Sequence, residues 1–266
     1  MRKIGTNTIY RMDVEEIDQF PYLKQIGFDC VMLNFFVGDD IAKMADAAVS
    51  AGLEIANIHA PISTVNSVWE DAADGDEYIK IQKERVDFCH SAGVPTLVLH
   101  ATFLKNPPPV SDIGIARHMH LCEYAETKGV RLAFENVEPY PHLDVVIKNM
   151  GDYHGFCWDI GHNRAYAPDI DFMELYGDRL AAVHIHDNFG MTQCGHMNSQ
   201  DDKHWLPFDG TLDWTWYAEK IKNSPYDGPL TLEVSVANAP NYQQMGFEKF
   251  ADLAYERIAK LRGMVR

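Results

Sequence analysis

Residues 130–162 read VRLAFENVEPYPHLDVVIKNMGDYHGFCWDIGH. Two short runs stand out, Arg131–Phe134 and Gly155–Trp158. Each is apolar at consecutive positions, as a parallel strand covered on both faces requires. Each also closes on an acid, Glu135 or Asp159, and a longer mixed segment separates them. Outward from this pair the same rhythm fills the chain. Further strands are expected at Ile4–Ile9, Cys30–Leu33, Glu54–Ile58, Thr96–Leu99, Ala181–Ile185 and Leu230–Val234. Helical patterns lie between them at Asp13–Gln25, Ile41–Ser50, Glu77–Ser91, Ile115–Thr127, Phe172–Tyr176 and Trp214–Lys222, and Phe247–Leu261 closes the chain. Gly27, Gly52, Gly93 and Gly129 stand where helices must stop before the next strand.

Strict alternation of this kind admits an eight-fold barrel or a doubly wound sheet. No G-x-G-x-x-G follows the first strand, which removes the fingerprint of a dinucleotide-binding sheet. About eight βα units in 266 residues is the arithmetic of an α/β protein built as a single (β/α)8 TIM barrel. Linker composition, low complexity and internal repeats are absent, so residues 1–266 are read as one domain. The one long irregular stretch, Asn188–Gly210, follows the seventh strand, where barrel enzymes place functional loops. Its Phe189, Trp205 and Phe208 are apolar enough to cover the mouth and exclude water; Trp205 is a candidate substrate contact. The alternative use of that loop is a contact between copies of the chain.

Asp and Glu number 39 against 23 Lys and Arg, a net charge of −16. That balance argues against wrapping nucleic acid, where basic surface supplies most of the affinity. It argues equally against docking on an anionic membrane. No stretch approaches the roughly 20 apolar residues of a membrane span, and a soluble cytoplasmic protein is expected. The five cysteines are widely spaced with no CxxC, as in reduced core-filling thiols.

Reacting groups of a barrel project from the C-terminal ends of its strands. Here the third run, LEIANIH, ends at His59, and the fourth, TLVLH, ends at His100. The fifth and sixth end at Glu135 and Asp159, with His162 three residues on. The seventh, AAVHIHD, carries His184, His186 and Asp187; the loop after it holds Asp202 and His204. The eighth, PLTLE, places Glu233. A lone histidine after a strand is more often a satisfied structural residue than a ligand. A buried carboxylate without a partner, however, costs several kcal/mol. A divalent cation at the mouth removes that cost for all of them together. His186 shares a side of its strand with His184 and is read as facing substrate or supporting a ligand, with Asp187 orienting an imidazole. His90, His118, His120, His142, His154 and His196 have no comparable setting.

In these residues the chain resembles the xylose isomerase-like barrels, which include sugar isomerases and epimerases and the endonuclease IV repair enzymes. The resemblance covers essentially the whole chain. It is carried by FEN at Glu135, WDIGH at Asp159 and His162, VHIHDN at His184, DKHWLPFDGTLDW from Asp202 to Trp214, and LEVS at Glu233. Similarity to the ketose 3-epimerases implies one divalent ion (Mn2+, Mg2+, Co2+ or Zn2+) on Glu135, Asp159, His184 and Glu233. It also implies that Glu135 and Glu233 act as acid and base through an enediolate held on the metal, with His162 contacting a substrate oxygen. Where those enzymes carry an arginine beyond the seventh-strand histidine, this chain reads DNFGM.

Similarity to endonuclease IV implies instead three zinc ions on His59, His100, Glu135, Asp159, His162, His184, Asp202, His204 and Glu233. The favoured expectation is a sugar, sugar phosphate or cyclitol isomerase or epimerase. Its alternatives are a multi-zinc phosphoester hydrolase, a dehydratase on the same enediolate logic, or a non-catalytic sugar-binding barrel. On the favoured expectation His59, His100, His162, Asp202 and His204 line the pocket of a small carbohydrate around a single ion.

Overall fold

The computed structural model of the chain describes residues 1–35, 40–103, 106–137, 140–194, 197–237 and 239–266. Eight parallel strands close into a barrel in sequence order: β1 Ile4–Asn7, β2 Cys30–Asn34, β3 Glu54–His59, β4 Thr96–Leu99, β5 Arg131–Glu135, β6 Gly155–Asp159, β7 Leu180–Ile185 and β8 Leu230–Leu232. The expected (β/α)8 barrel is therefore the fold. Around it lie α1 Glu16–Ile26, α2 Ile41–Ser50, α3 Ala73–Ser91, α4 Asp112–Thr127, α5 Tyr140–Asn149, α6 Ile160–Tyr166, α7 Phe172–Tyr176, α8 Trp214–Asn223, α9 Pro240–Gln243 and α10 Phe247–Met264. Among the described residues no helix is long and apolar enough to cross a membrane.

Side-chain alternation divides each strand between two environments. Leu97 and Leu99, Leu132 and Phe134, Phe156 and Trp158, and Val183 and Ile185 join the large core under the helices. Val98, Ala133, Cys157 and Ala182 form a separate small cluster inside the barrel. The inner face is thus filled by small residues on these strands. Both faces are dry, which is why each strand reads as a continuous apolar run.

Among the described residues five helices carry side-chain caps at their N-termini: Asp40 on α2, Ser111 on α4, Asp159 on α6, Asp171 on α7 and Asp213 on α8. The glycine stops at 27, 52, 93 and 129 all adopt positive φ, the left-handed region that glycine enters without a Cβ clash. Three helices escape the sequence pattern, α5 and the short α6 and α9. The first and eighth strands also end earlier than expected, at Asn7 and Leu232. Cys30, Cys89, Cys122 and Cys157 are buried and Cys194 is exposed, none of them paired.

Candidate active site

Two residues beyond Val98, Ala133, Cys157 and Ala182 on the same inward face stand His100, Glu135, Asp159 and His184. The alternation that fills the barrel with small side chains therefore delivers these four polar groups to its mouth. Register fixes their heights, with Glu135 opposite Cys157 and Asp159 opposite His184. Two asparagine brackets tighten the ends. Asn136 Nδ2 donates to the Asp159 carbonyl at 2.8 Å, and the Asp159 N–H donates to Asn136 Oδ1 at 2.8 Å. Asn7 does the same to Val234, at 2.9 Å each way, and so holds Glu233 just past β8.

Glu135 is fully buried at the centre. Its Oε2 lies 2.7 Å from His59 Nε2 and 3.0 Å from His100 Nε2. Its Oε1 lies 3.1 Å from His184 Nδ1 and 3.4 Å from His162 Nδ1. His184 Nδ1 stands equally 3.1 Å from Glu233 Oε2. Ligand atoms of Glu135, Asp159, His184 and Glu233 all fall within 4.8 Å of one another, and those of His59, Glu135 and His184 do likewise.

A second group lies beside the first: His162, His186, Asp202 and His204, again with ligand atoms within 4.8 Å. Asp159 caps α6 by accepting the His162 N–H at 2.6 Å, and so sets the His162 ring over the mouth. His186 Nε2 approaches Asp159 Oδ1 at 3.0 Å and Asp202 Oδ1 at 3.7 Å, bridging the two groups from below. Its ring fits only because residue 161 is glycine: a Cβ there would lie 2.0 Å from His186 Cε1. His204 stacks on His186 at 3.9 Å, with its Nε2 3.0 Å from Asp202 and its Nδ1 2.9 Å from the Glu233 carbonyl. His204 holds φ at 50°, a left-handed backbone that costs a non-glycine residue about 1 to 2 kcal/mol.

Asp187 anchors the loop that carries Asp202 and His204. Its buried carboxylate accepts from the N–H groups of Asn188, Phe208 and Leu212 and from Trp214 Nε1, the last at 2.8 Å. Its main chain pairs antiparallel with Trp205. The expectation that Asp187 orients an imidazole is therefore corrected: it organises backbone. A carboxylate with four donors nearby could not be recognised from its own strand, because three of them lie more than twenty residues on.

Burial opposes charge throughout the site, but opposite charges outweigh it. Glu135 is held well below the usual carboxylate range, burial notwithstanding, by His184, His100 and His162. Asp202 and Glu233 are lowered the same way by neighbouring imidazoles. His162 and His184 are lifted well above the usual imidazole range, and His204 to about 9 beside Asp202. His100 goes the other way, down to about 4, because its burial outweighs its contact with Glu135. The cluster by itself thus pairs carboxylates with imidazolium ions. Asp159 Oδ2 and Asp202 Oδ1 are buried with no hydrogen-bond donor among the described residues. Unsatisfied carboxylate oxygens among imidazoles and further carboxylates fit a divalent cation, with hard oxygen and borderline nitrogen donors together.

The structure brings together all four residues expected around one ion, Glu135, Asp159, His184 and Glu233. The outer five divide: His59, His100 and His162 approach Glu135, and His162 also reaches Asp202, which lies beside His204. His186 is fully buried beneath His204 with its Nε2 toward Asp159, and it is absent from the described residues lining the cavity. Trp205, expected against substrate, is absent from the described residues lining the cavity above the ring. Its ring packs edge-on against Phe189 at 4.8 Å. His90, His118, His142 and His154 each reach a main-chain carbonyl, as structural histidines do. His196 lies outside the described residues. Sequence reasoning missed Asn7, Asn136 and Gly161; an asparagine at the C-terminal end of a strand is the one signal that points to the brackets.

A model of the xylose isomerase-like TIM barrel family matches residues 20–253. The protein y4fM of Sinorhizobium fredii is 32% identical over 170 residues, 58% of this chain and 52% of that one. The fructoselysine 3-epimerase of Escherichia coli O157:H7 is 27% identical over 173 residues, 59% of this chain and 58% of its own. The chain thus spans about half the length of these curated relatives. The solved structure of the IOLI protein with a bound zinc atom superposes with a TM-score of 0.78 at 17% identity, covering 97% of each chain.

Proposed function

The chain belongs to the xylose isomerase-like TIM barrel family, and from that premise we propose that it is a divalent-metal-dependent sugar isomerase or epimerase. The observation that carries the proposal is the convergence of Glu135, Asp159, His184 and Glu233 within 4.8 Å at the barrel mouth. Similarity to a sugar 3-epimerase supports the reaction class. Three carboxylates and one imidazole suit Mn2+, Mg2+, Co2+ or Zn2+. When bound, such an ion polarises a sugar carbonyl and stabilises the oxyanion that develops on it.

The remaining work falls to side chains. Glu233 lines the cavity, so its carboxylate reaches a substrate C–H bond and removes the proton to leave an enediolate. Glu135, buried behind His59 and His100, is the second acid–base group: a proton carried by its imidazole partners passes through it to the opposite face or the adjacent carbon, and the proton left on Glu233 returns to that cluster through solvent. His59, His100 and His162 line the same cavity and hold the sugar hydroxyls. The test is metal-replete protein, sugar and deuterated water. Solvent deuterium should enter the substrate with one ion bound per chain, and Glu135→Gln or Glu233→Gln should stop it.

A second reading, multi-zinc phosphoester hydrolysis, is favoured by one observation, the separate group of His162, His186, Asp202 and His204. Elemental analysis separates the two: close to three zinc ions per chain with phosphodiester cleavage replaces the isomerase reading.

A further inference from the structure

The cavity over the ring has a vertical division of chemistry. Its floor is polar, formed by His59, His100, His162, Asp202, His204 and Glu233. Its upper wall is apolar and lies on the loops just past the strand ends: Tyr10 after β1, Phe35 after β2, Ile62 after β3, Phe103 after β4 and Val137 after β5. The wall is built rather than incidental. The Phe103 N–H donates to Asn66 Oδ1 at 2.8 Å, and Asn66 Nδ2 donates back to the Phe103 carbonyl at 3.4 Å. The Phe35 N–H donates to the His59 carbonyl at 3.0 Å, and its ring is braced edge-on by Phe88 at 5.6 Å.

Size points the same way. The cavity measures about 660 Å3. A six-carbon sugar fills on the order of 200 Å3, about six waters' worth at roughly 30 Å3 each. A contiguous apolar surface left over the polar floor marks a ligand groove. Charge limits what fills it. Among the described lining residues there is no lysine or arginine, while Glu16 stands at the rim. A phosphate lying along the apolar wall would meet no lysine or arginine among the described lining residues.

Resting on the sugar isomerase reading, we propose that the substrate is a sugar carrying an uncharged apolar substituent, aryl or alkyl, and not a sugar phosphate. The carbonyl end sits on the floor and the substituent lies along Phe35, Ile62, Phe103 and Val137. The experiment measures calorimetric binding and solvent-deuterium exchange on metal-replete protein with four probes: a free 2-ketohexose, its 6-phosphate, and the same ketohexose with a phenyl ether at C1 or at C6. At least one phenyl ether is expected to bind about tenfold or more tighter than the free sugar, the scale of burying one phenyl group. The phosphate is expected to bind no better than the free sugar. Phe103→Ala should weaken the phenyl ether at least about fivefold more than it weakens the free sugar. Free sugar or phosphate binding as tightly as both phenyl ethers overturns the inference, and exchange alongside that result leaves the isomerase reading standing. A phenyl preference in binding with no exchange on any probe overturns the isomerase reading alone. Failure to bind any of the four overturns both.

Discussion

The strand-end group and the loop-borne group meet at one mouth, yet they are placed by different physics. Glu135, Asp159 and His184 inherit their positions from the barrel, because inward-facing alternation and parallel register leave them no other place to point. Asp202 and His204 sit on a segment with no helix or strand of its own. They are held by a buried carboxylate with four donors, by a two-residue antiparallel pairing and by a left-handed histidine. Scaffold precision comes free with the fold, whereas loop precision must be constructed from buried polar contacts. The first group should therefore be tolerant of surrounding change and the second fragile.

The largest effect should fall on the chemistry of the scaffold group. Glu135→Gln and Glu233→Gln are each expected to lower deuterium exchange about 10²- to 10⁴-fold while leaving the fold intact. Near wild-type exchange in either would remove that glutamate from acid–base work. Asp187→Asn breaks the other side of the comparison. It removes the charge on which four donors converge, and a loss of about 3 kcal/mol in unfolding free energy is expected. Glu135, Asp159, His184 and Glu233 should still bind their ion in that variant. Thermal melts with metal analysis read both, and an unchanged melt would mean that the loop does not depend on Asp187.

Gly161→Ala pushes the His186 ring out from between the groups and should cost about 2 kcal/mol. Chemical denaturation measures it; a variant as stable as wild type would show that His186 moves aside freely. Metal binding should respond to pH with a defined sign. His184, the imidazole among the proposed ligands, is held well above the usual imidazole range, so protons compete with the ion for it. Affinity should rise with pH by about tenfold per unit for each proton displaced from His184. In metal-free protein the sign reverses. A raised histidine stabilises fully below about pH 6.5, and that contribution fades as pH climbs through about 9. Titration calorimetry in two buffers counts the protons, and flat affinity across this range would refute the competition. The smallest change is expected at Trp205, which packs on Phe189 outside the cavity. Trp205→Phe should alter turnover by about 0.5 kcal/mol or less, and a large rise in KM would restore Trp205 to the substrate.

Strand positions and their polar ends were readable because burial on both faces writes a continuous apolar run, and an acid or histidine breaking it has no neutral explanation. The helix α5 was not readable. Its VVI core favours extended structure locally, and only the need to cross between parallel strands makes it helical. In α6, seven residues beginning inside WDIGH look like a turn, since Gly161 lowers helix propensity and is retained for the His186 ring. His186 itself was placed on the correct face, but its burial depends on His204, which arrives from a loop whose path no periodicity records. Adjacency makes Asp187 resemble a companion of histidines; three of its four donors are main-chain groups, and backbone donors leave no trace in residue type.

The bracket between Asn7 and Val234 joins positions 227 apart in the chain. Beside it, β1 and β8 pair only once Leu230–Leu232 has been made. On a ribosome, therefore, nearly every residue of the site exists before the last carboxylate can take its place. On the proposed reading, full coordination of an ion waits for β8, and a nascent chain halted before β8 carries an incomplete acidic ring in an open barrel.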